Sequence, residues 1–168
     1  MRGGARRIAV LAVLTSMALV AGYAESLMPP VFAGVPVQLG LSNIFALVAL
    51  LLYSPVDAFT VTIIRCTIGS LMLGGSPTGF IYSLTGGLAS CAAMSLLNPL
   101  FKKGMISPVG LSVAGSFCFN AGQLIIGVAA VGPPVAAYFP LMGLLSVPTG
   151  ICVGIIAWLV YSRLKNVA

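Results

Sequence analysis

The chain has 168 residues, of which 60% are hydrophobic and only 6% are charged. A soluble domain carries about 25% charged residues, so too few polar side chains are available here to cover a surface in water. Lipid must therefore be the solvent for most of the molecule. The formal net charge of +6 does not indicate nucleic acid as a partner, because the basic residues are sparse and stand at the ends of apolar runs.

Six long apolar runs predict an all-α integral membrane protein with about six transmembrane helices in a single domain over residues 1–168. The second run is short for a crossing, which takes about 20 residues, and two prolines in the last, Pro140 and Pro148, predict a kinked or tilted helix. The runs, in chain order, are residues 8–24, 39–53, 56–73, 80–97, 109–131 and 136–161.

The basic residues predict the orientation, because cytoplasmic loops carry an excess of Lys and Arg. With the N-terminus inside, seven of the eight basic residues become cytoplasmic and none falls in an external loop. Both termini are then cytoplasmic, as expected for a multi-pass protein of a bacterial plasma membrane. In an alternative interpretation, residues 1–24 are a cleavable signal peptide. The seven residues are Arg2, Arg6, Arg7, Lys102, Lys103, Arg163 and Lys165.

The first external connection, residues 25–38, differs from the other two by its length and its prolines. It contains Pro29, Pro30 and Pro36, with apolar residues such as Met28 and Phe32 between them. A stiff, apolar segment outside the bilayer is expected to fold back over the bundle as a lid above an outward-facing site. An ordinary interfacial connection is the alternative.

Arg65 is the basic residue that topology does not explain, since it stands nine residues into the third run. A charge at that depth costs several kcal/mol, so it should face the bundle interior and find a partner. Asp57 lies eight residues away, about 12 Å along a helix axis, which is too far for pairing. Glu25, at the outer end of the first helix, is the alternative partner. Without either, Arg65 is available to a carboxylate or phosphate of a ligand.

Amide side chains form a second group of candidate ligand contacts. Asn120 and Gln123 lie at positions i and i+3 of the fifth run, and therefore on one helix face. Asn43 lies early in the second run, and Gln38 stands just before that run. These amides are equally suited to hydrogen bonds between helices. As ligand contacts with Glu25 and Arg65, they predict a site for a planar, hydrogen-bonding small molecule.

The first helix carries a stripe of small residues at spacings of four, three and four. Such a stripe allows another helix to approach closely, and it begins at the cytoplasmic end, where a partner subunit could dock. The stripe consists of Ala5, Ala9, Ala12 and Ser16. Ser83, Gly86, Gly87, Ser90 and Cys91 make a similar surface on the fourth helix, better explained by internal packing.

The residues give no sign of an enzyme. Histidine is absent and the chain has only two acidic residues, so neither a Ser/His or Cys/His pair nor an Asp-rich magnesium site can be assembled. The four cysteines stand in separate apolar runs without a CxxC pair, which indicates buried thiols rather than a metal site. We therefore expect no catalysis, no metal and no cofactor.

Six segments stand in order along nearly the whole chain: residues 25–30, 37–43, 65–70, 83–87, 120–123 and 138–142. They resemble the "Gx transporter" family, whose members are often labelled heptaprenyl diphosphate synthase component I. That family is similar to the substrate-binding S components of energy-coupling factor (ECF) transporters. One position departs from the family: Phe119 stands where histidine is usual, which puts the ligand specificity in question.

The resemblance implies a six-helix S component that captures a vitamin-like molecule, a flavin being one lead, on the outer side of the membrane. A transmembrane coupling subunit and two ATPases would be its partners and would dock on the small residues of the first helix, Ala9, Ala12 and Ser16. The alternative function is that of a non-catalytic membrane component associated with heptaprenyl diphosphate or menaquinone synthesis.

Overall fold

A computed structural model describes residues 2–27, 40–72 and 77–165, and all regular structure in these ranges is helical. Five of the helices are long and apolar enough to cross a membrane. The prediction of an all-α membrane bundle is thereby confirmed. The elements are α1 (Arg2–Ser26), α2 (Asn43–Leu52), α3 (Pro55–Met72), α4 (Pro77–Lys102), α5 (Pro108–Val131), a 3-10 helix (Pro133–Tyr138) and α6 (Phe139–Leu164).

The second helix starts four residues later than the predicted boundary at residue 39. Gly40 has a φ of 76°, a left-handed conformation that an α-helix cannot include and that glycine adopts without strain. The N–H groups of Asn43 and Ile44 bond to the carbonyls of Gly40 and Leu41, three residues back. A tight turn therefore replaces the first predicted turn of α2, leaving a helix of 10 residues.

This short helix α2 is surrounded by the other helices. Every residue from Asn43 to Leu50 is buried, and α2 contacts α1, α3, α4 and α6. Ten residues extend about 15 Å, half of a hydrocarbon core of about 30 Å. The C-terminal end of α2 lies near the start of α1, where the Arg7 guanidinium stands 5.7 Å from the Tyr53 ring centroid. The N-terminal end of α2 must therefore lie deep inside the bundle.

Glycines bring α4, α5 and α6 together at close range. A Cβ built on Gly150 of α6 would lie 2.6 Å from the Cα of Val113, and one on Gly154 would lie 2.7 Å from the Cα of Val109. On α5, a Cβ at Gly115 would meet Met94 of α4 at 2.8 Å. Small residues at helix crossings are how membrane helices gain packing contacts. The small residues of α4 likewise face α3 and α5, as the prediction of internal packing required.

Successive contacts place the ends of the helices on two sides of the bundle. The start of α1 meets the start of α3 through Arg7 and Asp57. The start of α3 meets α4 beyond its midpoint, where the Cys91 thiol approaches the Ala58 carbonyl. The end of α6 lies against the start of α5 at Gly154. Both ends of the described chain therefore lie on one side, the side that carries the basic residues, in agreement with the predicted topology.

The two prolines of the last run lie at different places in α6. Pro140 stands in the first turn of α6, where a missing N–H breaks no helical hydrogen bond. Pro148 lies inside α6, so the prediction of a kinked or tilted helix depends on Pro148. The residues before Phe139 form a separate 3-10 helix rather than the start of an α-helix at residue 136.

Asp57, which is too far along the helix from Arg65 to pair with it, forms an ion pair with Arg7. Arg7 donates to both carboxylate oxygens, with Nη2 at 2.8 Å from Oδ1 and 2.6 Å from Oδ2. Ser54 Oγ donates to Oδ2 at 2.5 Å. This Arg7–Asp57 pair connects α1 to the start of α3. The Arg7 side chain is 47% exposed, whereas the Asp57 side chain is only 8% exposed.

We expect Arg7→Ala to lower the thermal stability in detergent more than Asp57→Asn. Removing Arg7 leaves a buried carboxylate with Ser54 as its remaining partner, whereas removing the carboxylate leaves an arginine that water can solvate. The difference should be about 1 kcal/mol, measurable as separate unfolding midpoints. Equal losses would mean that burial of Asp57 contributes nothing to the pair.

Candidate ligand-binding site

Arg65 lies within α3 with only 7% of its surface exposed. Its Nη2 donates to Oδ1 of Asn43 at 3.1 Å, and Asn43 is itself 3% exposed. The Nε of Arg65 is buried and has no hydrogen-bond partner among the described residues. The guanidinium therefore contacts the first residue of α2 through Nη2, while its Nε–H remains without an acceptor among the described residues.

Glu25 reaches the same place from the end of α1. Its Oε1 accepts a hydrogen bond of 2.6 Å from the backbone N–H of Gly40. Gly40 adjoins Asn43, since a Cβ added to this glycine would lie 3.1 Å from Asn43 Nδ2. A carboxylate thus lies at the positive end of the α2 dipole, beside the amide that contacts Arg65. The sequence-based idea that Glu25 approaches from above agrees with this position.

Two adjacent glycines of α4 complete the surroundings. A Cβ on Gly87 would lie 3.2 Å from Arg65 Nη2, and a Cβ on Gly86 would lie 3.1 Å from the ring of Phe119 and 3.0 Å from Cγ of Gln123. The Phe119 ring also lies near Gly40. Phe119 and Gln123 of α5 and the guanidinium of α3 therefore contact adjacent residues of α4, Gly86 and Gly87.

Asn120 faces a different helix from Gln123. Its Nδ2 donates to Ser146 Oγ at 2.8 Å and to the Met142 carbonyl at 3.3 Å, both on α6. Gln123 instead lies against α4. Positions i and i+3 are separated by about 60° around a helix axis, so the face that carries both amides lies between two helices, with Asn120 towards α6 and Gln123 towards α4.

The Asn120 amide joins α5 to α6, yet its Oδ1 is buried with no hydrogen-bond partner among the described residues. Of the two roles that the sequence left open for the amides, the structure shows the interhelical hydrogen bond for Asn120. Gln38 and most of the predicted lid, residues 28–38, lie outside the described residues.

Some neighbours of the site were not predicted as site residues. Gly40, Gly86 and Ser146 contact the candidate residues, but glycine and serine are common in membrane helices and do not by themselves indicate a site. The signal that existed was the departure at Phe119, which is 2% exposed and stands between Gly40 and Gly86. An aromatic ring therefore forms a wall of the site where the resemblance leads one to expect an imidazole.

The small-residue stripe of α1 lies on the outside of the bundle. Ala9, Ala12 and Ser16 are exposed, while Leu14 and Ala18 on the opposite face are buried. The hydroxyl of Ser16 donates back to the Ala12 carbonyl at 2.9 Å, so it presents little polarity to the surroundings. None of the three residues is used in packing against the rest of the described chain.

These features define a multi-pass helical membrane protein with a charged and amide-lined cluster buried between its helices. Residues 14–160 match the family described as heptaprenyl diphosphate synthase component I. The chain belongs to this family, which the resemblance in the sequence had indicated by its common label. No curated protein matches the chain.

Proposed function

We propose that the chain is the substrate-binding S component of an ECF-type importer in a bacterial plasma membrane. Its ligand is a vitamin-like small molecule, and a flavin is the first candidate. The ligand contacts are Glu25, Gln38, Asn43, Arg65, Asn120 and Gln123. A transmembrane coupling subunit docks on Ala9, Ala12 and Ser16, and associated ATPases supply the energy.

The observation that carries this proposal is the buried Arg65 with an unused Nε. A charge inside a membrane protein is costly unless it is neutralised and fully hydrogen-bonded. Arg65 bonds to a neutral amide, while the second acid, Asp57, is held by Arg7. A bound molecule that accepts from Nε and from the surrounding amides supplies what the described residues do not.

The same residues suit binding and are unsuited to catalysis. They offer a fixed cation, amides and one aromatic wall, but no nucleophile paired with a base. The two acidic residues of the chain lie at the start of α3 and the end of α1, at opposite ends of parallel helices. We therefore propose a non-enzymatic role that needs no cofactor.

The family description supports a second candidate, a non-catalytic membrane component associated with heptaprenyl diphosphate or menaquinone synthesis. In that role the chain would hold a prenyl synthase, or its lipid product, at the membrane. A buried arginine could then receive a diphosphate headgroup. The two candidates therefore differ in the tail of the ligand and in the soluble partner.

Native mass spectrometry of the protein purified from its own membranes distinguishes the two candidates. A co-purified water-soluble molecule of vitamin size, reduced at least about tenfold by Asn120→Ala, supports the importer, since a lost buried hydrogen bond to a ligand costs roughly 1–3 kcal/mol. A polyprenyl lipid in its place, or prenyl synthase activity that requires this chain, would favour the second candidate.

The docking surface has its own test. Ala12→Leu should abolish co-purification of the coupling subunit while leaving the unfolding midpoint unchanged, because Ala12 is exposed and a larger side chain blocks the close approach of a second helix. Ala129→Leu, on the exposed face of α5, is the matched control and should leave the complex intact. Equal yields of complex from both variants would exclude this surface.

A further inference from the structure

We infer that Glu25 is an internal stand-in for an anionic group of the ligand, and that a carboxylate or phosphate displaces it from the N-terminus of α2. This inference rests on the proposed function and names the chemical class of the ligand. It replaces the direct contact proposed there for Glu25 with displacement of the Glu25 carboxylate by the ligand. The site that it defines comprises the Gly40 N–H, Asn43 and Arg65.

The start of α2 has the properties of an oxyanion site. The Gly40 N–H points at a carboxylate oxygen 2.6 Å away, and a helix N-terminus carries a partial positive charge. Ser42, the N-cap residue, makes no side-chain capping bond to the helix. The N–H groups of Asn43 and Ile44 already bond to the carbonyls of Gly40 and Leu41, so the Gly40 N–H is the backbone donor at which an external anion would take the place of Glu25.

The guanidinium supplies an independent observation. Only 7% of the Arg65 surface is exposed. Its Nη2 donates to Asn43 at the same helix end, and its Nε has no hydrogen-bond partner among the described residues. A helix dipole and an arginine together hold an oxyanion more strongly than either alone. The guanidinium contacts Asn43, and the amide of Asn43 lies beside Gly40.

Charge balance makes the exchange of one anion for another reasonable. The chain has two acids, and Asp57 is bonded to Arg7, so Glu25 is the acid at the Arg65 end of the bundle. Its side chain comes from the last turn of α1. Displacing Glu25 would therefore break its hydrogen bond between α1 and the turn before α2 as the ligand binds.

Thermal unfolding of the purified protein in detergent tests this, with inorganic phosphate and acetate as probes and the fluorescence of Trp158 as the signal. Either anion should raise the midpoint of Glu25→Gln by about 3 °C near ten times its dissociation constant. Wild type should not respond at these concentrations, because Glu25 occupies the site. Sodium chloride at equal ionic strength corrects for general salt effects.

Asp57→Asn is the matched control, since it removes the other negative charge and leaves the α2 end unchanged; it should not respond to either anion. The double variant Glu25→Gln/Arg65→Gln should lose the response of the single variant. Glu25→Ala serves as a second variant if Glu25→Gln does not fold. The response to phosphate against acetate then separates phosphate-bearing from carboxylate-bearing ligands.

The inference is overturned if phosphate and acetate shift wild type, Asp57→Asn and Glu25→Gln equally, or shift none of them. These results would overturn the role of Glu25 without overturning the proposed function, which is tested by the co-purified molecule. A vitamin-sized molecule co-purifying with wild type, without any anion response in Glu25→Gln, would retain the importer and make Glu25 a permanent part of its site. An anion response without any co-purified molecule would retain the oxyanion site alone.

Discussion

Arg65→Gln is expected to abolish ligand binding while keeping or raising the thermal stability of the empty protein. The affinity should fall by at least about thirtyfold, or 2 kcal/mol, which is the lower range for truncating a buried, hydrogen-bonded charge at a binding site. The thermal stability of the empty protein should be kept or raised, because a neutral amide in place of a buried cation removes a large desolvation cost. Co-purified ligand and unfolding midpoint are measured on the same sample.

The opposite signs separate ligand binding from a structural role. If Arg65 served only to hold α3 against α2 through Asn43, its loss would lower the midpoint in parallel with any effect on ligand. Arg7→Gln is the control, since it removes another arginine that bonds to a buried acceptor. It should lower the stability and leave the intrinsic affinity for the ligand unchanged.

Gly150→Ala is expected to have the largest effect on folding of the glycine substitutions. The new methyl group would lie 2.6 Å from the Cα and 3.1 Å from the backbone N of Val113, atoms that cannot move aside like the tip of a side chain. Overpacking of this kind costs about 1–3 kcal/mol, and here α5 and α6 must separate to relieve it. The expected result is a clearly lower unfolding midpoint and a lower yield of monodisperse protein.

Gly22→Ala is the matched control on α1. A Cβ at Gly22 meets nothing within 4 Å, and alanine has a higher helix propensity than glycine. We expect this variant to be as stable as wild type or slightly more stable. Similar midpoints for the two variants would mean that α5 and α6 do not approach each other as closely as Gly150 and Val113 indicate.

The number and the order of the helices follow from the sequence because apolar length alone determines them. The boundary of α2 does not. The run from residue 39 to 53 is continuous in composition, and the turn at Gly40 depends on a positive φ that is imposed by the approach of Glu25 and Asn43. A contact between residues 15 positions apart leaves no trace in local hydropathy.

For the candidate site, the types of side chain could be predicted from the sequence, but their hydrogen-bond partners could not. A buried arginine and central amides are conspicuous in an apolar chain, so Arg65, Asn43 and Asn120 could be selected from residue type alone. That Asn120 would bond to Ser146, and that Gln123 would turn to α4, depends on the rotation of α5 between its neighbours. The Arg7–Asp57 pair was within reach, since the topology already put both residues on one side and Ser54 precedes Asp57 as a helix cap does.

The shortness of α2 has a consequence for how the protein enters the membrane during synthesis. A segment of 10 residues is about half the length that a bilayer retains as an independent span, so α2 cannot be held in lipid by its own hydrophobicity. Its place in the membrane must therefore depend on the helices that surround it, of which α1 precedes it in the chain and α3, α4 and α6 follow. A chain that ended after α2 would lack the contacts with these later helices that bury the segment.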